Sequence, residues 1–251
     1  MQVKDENCSR KEMMIVASAR EIADQELVYV GIGLPKLAAF LAKKTHAPRA
    51  ILSIEAGVID IISFGNPISL GDPKVAAGCA KCCGMFYTLS LLQKGYVDLC
   101  LLGGAEVDKF GNINSTVIGD YKKPKIRLPG SGGANDFASN SKRTVIMMPH
   151  EKRRFPEKVS YITSPGFIDG PAGRKKAGLK WGGPSRVITD LAVLGFHSET
   201  KTMQLESVHP GVSVSEVMDN TGFDLLIPDK VPLTKPPTAK QLRILRIAAS
   251  I

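Results

Sequence analysis

One carboxylate is conspicuous in the sequence because it ends an apolar segment. Residues 50–60 read AILSIEAGVID, and Glu55 is followed by the small residues Ala56 and Gly57, which leave room for a substrate. Partial burial would raise the pKa of this carboxyl, and nearby hydrogen-bond donors would keep it ionised and nucleophilic. The alternative is a solvated loop residue, and the local pattern taken alone favours that alternative.

A glycine-rich segment is the second candidate for chemistry. Residues 129–141 read PGSGGANDFASNS, in which Gly130, Gly132 and Gly133 would allow backbone N–H groups to converge. The following residues, from Ala134, are expected to open a helix. Such a segment predicts a site for an anion or for the oxyanion of a reaction intermediate. A simple turn explains the same glycines equally well.

Two further segments lie where strands are expected to end. Residues 103–116, GGAEVDKFGNINST, contain Asp108, Asn112 and Asn114, which are short polar residues suited to hold turns. Residues 31–35, GIGLP, begin like a dinucleotide-binding fingerprint but lack its third glycine. A tight strand-to-helix turn is therefore the favoured interpretation of that second segment.

The cysteines and histidines do not assemble into a metal site or a catalytic triad. Cys79, Cys82 and Cys83 form the segment CAKCC, but a structural zinc site needs four ligands and no second pair follows. Small buried thiols are the favoured alternative, and five cysteines in total do not suggest a disulfide framework. The four histidines show no metal-ligand spacing, and no Ser-His-Asp arrangement is evident.

The hydrophobic pattern predicts strands that alternate with helices. Short apolar strands of this kind indicate an α/β fold with an open, mostly parallel sheet covered by helices on both faces. Ligands bind such sheets beyond the carboxyl ends of the strands. The later strands alternate in a way typical of an antiparallel or edge region. The predicted strands are 27–33, 50–54, 97–104, 143–149, 159–163, 186–196 and 202–208, and the predicted helices are 9–25, 34–46, 85–95, 213–222 and 238–248.

Length and composition are those of a globular protein with a sizeable core. The 251 residues are 43% hydrophobic and 23% charged, and the length suffices for one large α/β domain or two small ones. Of these two arrangements we expect the single domain, over 1–251. The glycine- and proline-rich stretch 163–185 is expected to be a long functional or interface loop, with a surface excursion of no role as the alternative. The first residues lack the apolar core of a signal peptide, and no run could span a membrane, which predicts a cytoplasmic protein.

The net charge of +9 does not by itself identify a partner. A basic protein suits nucleic acid, an anionic small molecule or an acidic subunit. The basic residues are scattered in short clusters, however, and no nucleic-acid-binding motif accompanies them. We therefore expect neither nucleic acid nor a membrane as a partner.

Several blocks, taken together and in order, carry a resemblance that no single motif does. They are VGIGLP, the IEAG that contains Glu55, GGAEVDKFGNINST, GDYKKPKIRLPGSGGAN, IMMPHEKRRF, TSPGFIDGP and NTGFDL. In these blocks the chain resembles the B subunit of the glutaconate-type, family I CoA-transferases, and the likeness covers most of its length.

The resemblance implies an open, CoA-transferase-like α/β fold and a heteromeric enzyme in which the chain pairs with an A subunit, as a heterodimer or a higher (AB)n assembly. It implies that Glu55 is the catalytic nucleophile, which forms first an acyl-glutamyl anhydride and then a glutamyl-CoA thioester. The substrates would be a carboxylic or dicarboxylic acyl-CoA and an acceptor carboxylate, with no metal or redox cofactor. The residues expected to contact the oxyanion or CoA are Gly132, Gly133, Ala134, Asn112 and Asn114.

Two other functions remain open at this stage. One is an acyl-CoA hydrolase or decarboxylase on the same scaffold, since water admitted to the covalent intermediates would give net hydrolysis. The other is a noncatalytic sensor of acyl-CoA or of a phosphorylated ligand. Glu55 at an otherwise apolar strand end argues against the sensor.

Overall fold

The computed structural model describes residues 8–31, 33–62 and 71–250, and its centre is a nine-stranded mixed sheet. Two small two-stranded sheets lie beside it. The strands are β1 (Leu27–Val30), β2 (Ile51–Ile54), β3 (Val58–Ile59), β4 (Lys81–Cys82), β5 (Leu99–Leu102), β6 (Glu106–Val107), β7 (Ile113–Asn114), β8 (Val117–Gly119), β9 (Pro124–Arg127), β10 (Arg143–Met147), β11 (Pro184–Ile188), β12 (Ala192–Phe196) and β13 (Met203–Val208).

The large sheet has the order β13-β12-β11-β10-β5-β1-β2-β3-β4. The five strands from β11 to β2 are parallel, whereas β12–β13 at one edge and β3–β4 at the other are antiparallel. The small sheets are the antiparallel pairs β6–β7 and β8–β9. The predicted α/β fold with an open, mostly parallel sheet is thus confirmed.

Seven α-helices accompany the strands in the described part of the chain. They are α1 (Arg10–Ala19), α2 (Leu34–Lys44), α3 (Met85–Gln93), α4 (Ala134–Asn140), α5 (Gly173–Lys176), α6 (Val214–Asp219) and α7 (Ala239–Ser250). Helix α1 begins in a capping box, in which Ser9 and Glu12 satisfy each other's backbone N–H groups. No helix of the described residues is long and apolar enough to cross a membrane.

The period-two alternation of the parallel strands divides the core into two layers. Along β1, Val28 and Val30 belong to the cluster packed with α1 and α2, while Tyr29 faces the opposite layer. That opposite layer contains Leu92 of α3 and Phe137 of α4. Because every central strand is buried on both faces, its sequence is almost continuously apolar.

The structure corrects several predicted elements. Residues 159–163 do not form a strand, and only an isolated bridge joins Ser164 to Ile113 nearby. Segment 186–196 is two strands rather than one, because the Thr189 hydroxyl accepts hydrogen bonds from the Leu191 and Ala192 N–H groups and turns the chain. The predicted helix 9–25 ends at Ala19. Of GIGLP, Ile32 lies outside the described residues.

Candidate active site

Glu55 lies in the turn that joins the last parallel strand, β2, to the antiparallel strand β3. The turn is closed by a hydrogen bond from the Gly57 N–H to the Ile54 carbonyl oxygen at 3.3 Å. The Ser53 hydroxyl also donates to the Val58 carbonyl oxygen at 2.8 Å. The carboxylate is therefore half-buried at the carboxyl end of a parallel strand, where ligands of such sheets bind.

Gly57 is required by this turn for two reasons. Its φ is +100°, a conformation that residues with a Cβ rarely adopt. A Cβ at this position would also come within 1.8 Å of the Cys83 carbonyl oxygen. The glycine after the carboxylate is thus a consequence of backbone geometry.

The glycine-rich loop before α4 meets the Glu55 carboxylate directly. The Gly133 N–H donates a hydrogen bond of 2.7 Å to Glu55 Oε2. A Cβ on Gly133 would lie 2.0 Å from the same oxygen, so only glycine permits this approach. In the described chain no hydrogen bond reaches the other oxygen, Oε1. The two candidate segments are thus in direct contact, with one carboxylate oxygen held and the other without a donor among the described residues.

The electrostatic setting of Glu55 is divided between opposing influences. Burial raises the pKa of the Glu55 carboxyl above its ordinary value, and the negative charge of Asp136 adds to the rise. The Gly133 N–H opposes it, because a hydrogen bond to the carboxylate favours the ionised form. A carboxylate that is partly desolvated yet held by a donor is well suited to act as a nucleophile.

A buried chain of contacts holds the backbone of Glu55. The Thr88 hydroxyl of α3 donates to the Glu55 carbonyl oxygen at 2.8 Å, and the Thr88 carbonyl accepts from the Tyr29 hydroxyl at 2.8 Å. The Tyr29 ring packs edge-on against Phe137 of α4, with ring centroids 5.3 Å apart. The helices α3 and α4 are thereby positioned against the same turn.

The N–H groups predicted as oxyanion donors are not equivalent. The Ala134 N–H already donates to the Ser131 carbonyl oxygen at 2.9 Å, and the Gly133 N–H is directed at Glu55 itself. The Gly132 N–H has no hydrogen-bond partner among the residues that the structure describes. Of the three predicted glycine and alanine donors, it is the one that no described residue engages.

Asn112 and Asn114 are buried and form internal hydrogen bonds. The Asn112 amide donates to Asp108, and its oxygen accepts from the Gly166 and Ile168 N–H groups at 2.9 and 3.1 Å. The Asn114 amide donates to Glu106 at 2.7 Å. These contacts give both residues a structural role in the β6–β7 region, and their predicted contact with CoA stays a prediction.

Arg174 is an anchoring residue that the sequence analysis did not single out. It is only 6% exposed, and its guanidinium donates to the carbonyl oxygens of residues 165, 166 and 181 in its own loop. It also donates to the Ala138 and Ser139 carbonyl oxygens at the carboxyl-terminal end of α4. Burial lowers the pKa of Arg174 to about 10. Arg174 therefore ties the stretch 163–185 to α4, the helix that follows Gly133. A cation held by backbone carbonyl oxygens has no signature in sequence.

The described residues contain no group of three or more histidine, cysteine, aspartate or glutamate side chains that could hold a metal ion. His150 is buried against Phe155, and its ring nitrogens face the Thr189 and Thr221 hydroxyls at 3.0 and 3.1 Å. Burial lowers the pKa of His150 to about 4, so the ring is neutral at pH 7. This histidine is a packing residue.

Comparison with known proteins gives a consistent answer. The Coenzyme A transferase family matches residues 11–220. The chain is 43% identical to the B subunit of glutaconate CoA-transferase from Acidaminococcus fermentans, with 93% of this chain and 90% of the relative aligned. It is 41% identical to the B subunit of 3-oxoadipate CoA-transferase from Pseudomonas knackmussii, covering 95% and 92% of the two chains.

The fold agrees with the sequence match. The crystal structure of glutaconate coenzyme A-transferase from Acidaminococcus fermentans superimposes with a TM-score of 0.90 at 39% identity, over 96% of this chain and 94% of that one. Both the sequence and the fold are therefore shared over nearly the whole length. The chain belongs to the Coenzyme A transferase family and is of the B-subunit type.

Proposed function

We propose that Glu55 is the nucleophile of a CoA-transferase that moves CoA from an acyl-CoA to an acceptor carboxylate. The observation that carries the proposal is the asymmetry of its carboxylate: Oε2 is held by the Gly133 N–H, whereas no described residue donates to Oε1. An open oxygen on a fixed carboxylate is what attack on a thioester carbonyl requires.

In the first step, Oε1 attacks the thioester carbonyl carbon, and the CoA thiolate leaves. The product is a mixed anhydride between the acyl group and Glu55. The charge that develops on the substrate carbonyl oxygen would be met by the Gly132 N–H, a donor of the glycine-rich loop that has no partner among the described residues.

In the second step, the CoA thiolate attacks the glutamyl carbonyl carbon of the anhydride. The bond from that carbon to the bridging oxygen breaks, the acyl group leaves as a carboxylate, and Glu55 becomes a CoA thioester. Negative charge now develops on Oε2, the oxygen that already accepts the 2.7 Å hydrogen bond from the Gly133 N–H. Gly133 is therefore placed to stabilise the intermediates centred on Glu55 itself.

The acceptor carboxylate then repeats the sequence in reverse. It attacks the glutamyl-CoA thioester and forms a new anhydride, and the thiolate released attacks its acyl carbon to give the new acyl-CoA and free Glu55. Each step exchanges one activated carboxyl for another, so the steps are close in free energy. Binding of the CoA moiety away from the reacting centre can then lower the activation barriers at the thioester.

The partner in this proposal is an A subunit, in a heterodimer or a larger (AB)n assembly. The relatives named as B subunits support the presence of a second subunit. Helix α3, whose Thr88 holds Glu55, begins with an exposed apolar patch of Met85, Phe86 and Tyr87, which are 54%, 88% and 41% exposed. Exposed apolar side chains of this size mark an interface, so we place the A subunit on this patch.

Mass spectrometry tests the covalent step. The chain is co-expressed with its A subunit and incubated with a panel of acyl-CoAs without acceptor, and the tryptic peptide 50–74 is examined for a CoA thioester on Glu55. We expect the adduct in the native enzyme and its absence, with loss of transfer, in Glu55→Ala. Full transfer activity in Glu55→Ala would refute the proposal.

The same preparation distinguishes the competing functions. Release of CoA at full rate without acceptor would indicate a hydrolase, and loss of carbon dioxide from the acyl group would indicate a decarboxylase. Binding of acyl-CoA by the assembled complex without turnover would indicate a sensor. We expect rapid CoA exchange only when an acceptor carboxylate is present.

A charge at the proposed interface tests the partner. Phe86→Glu is expected to weaken co-purification with the A subunit by at least about tenfold, because the substitution would bury an unpaired carboxylate. Met218→Glu, at an exposed apolar residue on α6, is the matched control and should leave co-purification unchanged. If both variants retain the A subunit equally, the patch is excluded.

A further inference from the structure

Three cysteines close to the Glu55 turn have no role in the mechanism above. They form the segment CAKCC at residues 79–83, and the described residues around them form no metal-binding group. The sulfur atoms of Cys79 and Cys82 are 3.4 Å apart, so one thiol hydrogen-bonds to the other. Two thiols at this distance form a dithiol pair.

The two thiols differ in access. Cys82 lies on β4, at the edge of the large sheet, and is exposed. Cys79 is partly buried against the apolar core. The hydrogen bond to Cys82 raises the pKa of the Cys79 thiol. Cys82 is accordingly the residue that an oxidant in solution meets first.

Cys83 joins this pair to the Glu55 turn. Its N–H donates to the Gly57 carbonyl oxygen at 2.7 Å, and its thiol donates to the same oxygen at 3.2 Å. Strand β4 is also paired with β3, which follows the turn. A movement of Cys82 therefore reaches Gly57, two residues after Glu55, through the directly adjacent Cys83.

We propose that Cys79 and Cys82 form a reversible disulfide site whose closure displaces the Glu55 turn and lowers transferase activity. With a peroxide as oxidant, the Cys82 thiolate attacks one peroxide oxygen to give a sulfenic acid, and hydroxide leaves. The Cys79 thiol then attacks the sulfenic sulfur and water leaves. Two thiols lose two hydrogens in total, and the peroxide is reduced to two waters. A dithiol reductant reverses the reaction by thiol–disulfide exchange.

The distance that the two sulfur atoms must close sets the expected loss of transferase activity. A disulfide bond is about 2.0 Å long, so the sulfurs must approach by more than an ångström from 3.4 Å. Displacements of about 1 Å at a catalytic group can lower its rate by up to about 10²-fold. This effect on activity rests on the proposed role of Glu55, whereas formation of the disulfide does not.

The position of Lys81 allows a sharp experiment. Trypsin cleaves after Lys81 and separates Cys79 in peptide 75–81 from Cys82 and Cys83 in peptide 82–94. The assembled enzyme is treated with hydrogen peroxide, remaining thiols are alkylated, and the digest is analysed without reduction. We expect the two peptides to be linked in the native enzyme and in Cys83→Ser, and unlinked in Cys79→Ser and Cys82→Ser. Cys8→Ser, at a thiol outside this segment, is the matched control and should behave as the native enzyme.

Activity is measured on the same samples. We expect a loss of at least about threefold that parallels the linked fraction, is restored by dithiothreitol, and is absent in Cys79→Ser. Over-oxidation of Cys82 with the peptides unlinked, linkage that persists in Cys82→Ser, or linkage with unchanged activity would each overturn the proposal. Glu55→Ala, which lacks transfer if the proposed function holds, should still form the linked peptides, so the two proposals fail separately.

Discussion

Glu55 and Glu106 show two ways in which this fold uses a glutamate. Both follow a parallel strand of the large sheet within a few residues, Glu55 after β2 and Glu106 after β5. Glu106 is 6% exposed, and its two oxygens accept hydrogen bonds from the Asn114 amide and from the N–H and hydroxyl of Ser160. Glu55 is half-buried, and among the described residues a donor reaches just one of its oxygens.

The difference in hydrogen bonding separates a carboxylate with a structural role from one that can contact a substrate. A buried carboxylate whose oxygens are all hydrogen-bonded fixes the loops that donate to it and has no capacity left for a substrate. A carboxylate with one oxygen fixed and one open is oriented without being saturated. The number of free acceptor sites, more than burial, distinguishes the two residues.

The strongest test of this comparison removes the charge of Glu55, the proposed nucleophile, while keeping the shape of its side chain. We expect Glu55→Gln to lower kcat by roughly 10⁴-fold, because a neutral amide does not form the anhydride. Steady-state transfer assays on the assembled enzyme measure this, with circular dichroism as the control for folding. A fall of less than about tenfold would assign the rate to another group.

Crowding the fixed oxygen tests the geometry of the site. Gly133→Ala is expected to lower kcat by about 10²-fold, because the added Cβ would lie 2.0 Å from Glu55 Oε2 and displace the carboxylate. The φ of Gly133 is −82°, which alanine adopts freely, so the effect is steric rather than conformational.

Gly84→Ala is the matched control, since Gly84 has a φ of −80° and no described residue lies within 4 Å of its added Cβ. Its kcat is expected to equal that of the native enzyme. Equal losses in the two glycine variants would contradict the contact between Gly133 and Glu55.

Removing Glu106, whose two carboxylate oxygens both accept hydrogen bonds, should lower the stability of the protein and leave its catalytic rate nearly unchanged. Glu106→Ala removes one of the two acceptors of the buried Asn114 amide and the acceptor of the Ser160 N–H, which is expected to cost about 2–4 kcal/mol of unfolding free energy. Urea denaturation measures the loss. At a temperature where the variant is folded, its kcat should stay within about threefold of the native value. A loss of kcat as large as that of Glu55→Gln would contradict the distinction between Glu106 and Glu55.

The smallest expected effect is the contribution of the Glu55 carboxylate to the stability of the folded protein. Because burial raises the pKa of Glu55 in the folded protein, ionisation of this group opposes folding. Below the unfolded-state pKa of 4.5, Glu55 is protonated in both states and costs the fold nothing. As the pH rises through that pKa and the raised folded-state pKa, the folded protein loses stability relative to the unfolded chain. Glu55→Gln should therefore be slightly more stable than the native chain at pH 7, and urea denaturation at several pH values should show the gain vanishing near pH 4. If the stability gain of Glu55→Gln grew on acidification, the pKa of Glu55 would be lowered in the folded protein, contrary to this prediction.

Elements with a strong hydrophobic pattern could be predicted from the sequence, and short ones could not. The buried parallel strands near residues 27, 51, 99 and 143 were predictable because burial on both faces demands a run of apolar residues. The pairs β6–β7 and β8–β9 have only two to four residues per strand and carry no such pattern. Segment 159–163 has the alternation of a strand, yet it forms no ladder with a strand of the described chain, and its Thr163 N–H bonds to Ile113 of β7 beside an isolated bridge.

The candidate site divides in the same way. Glu55 and the glycine-rich loop could be found because a carboxylate among apolar residues and clustered glycines are visible locally. That the Gly133 N–H reaches Oε2, and that Arg174 fastens the loop to α4, depends on contacts between segments far apart in sequence. The same long-range contacts decide that the Gly133 N–H is bonded to Glu55, whereas the Gly132 N–H has no partner among the described residues.

The β2–β3 turn also has a consequence for how the chain folds. The turn closes through contacts between residues three to five positions apart, such as Gly57 with Ile54 and Ser53 with Val58. The donor to the carboxylate lies 78 residues further along the chain. Local hairpins form early and distant contacts form slowly, because a long loop must be closed first. We therefore expect the turn that carries Glu55, the proposed nucleophile, to form before its donor arrives. A chain still emerging from the ribosome lacks the hydrogen bond to Oε2 until Gly133 has been synthesised.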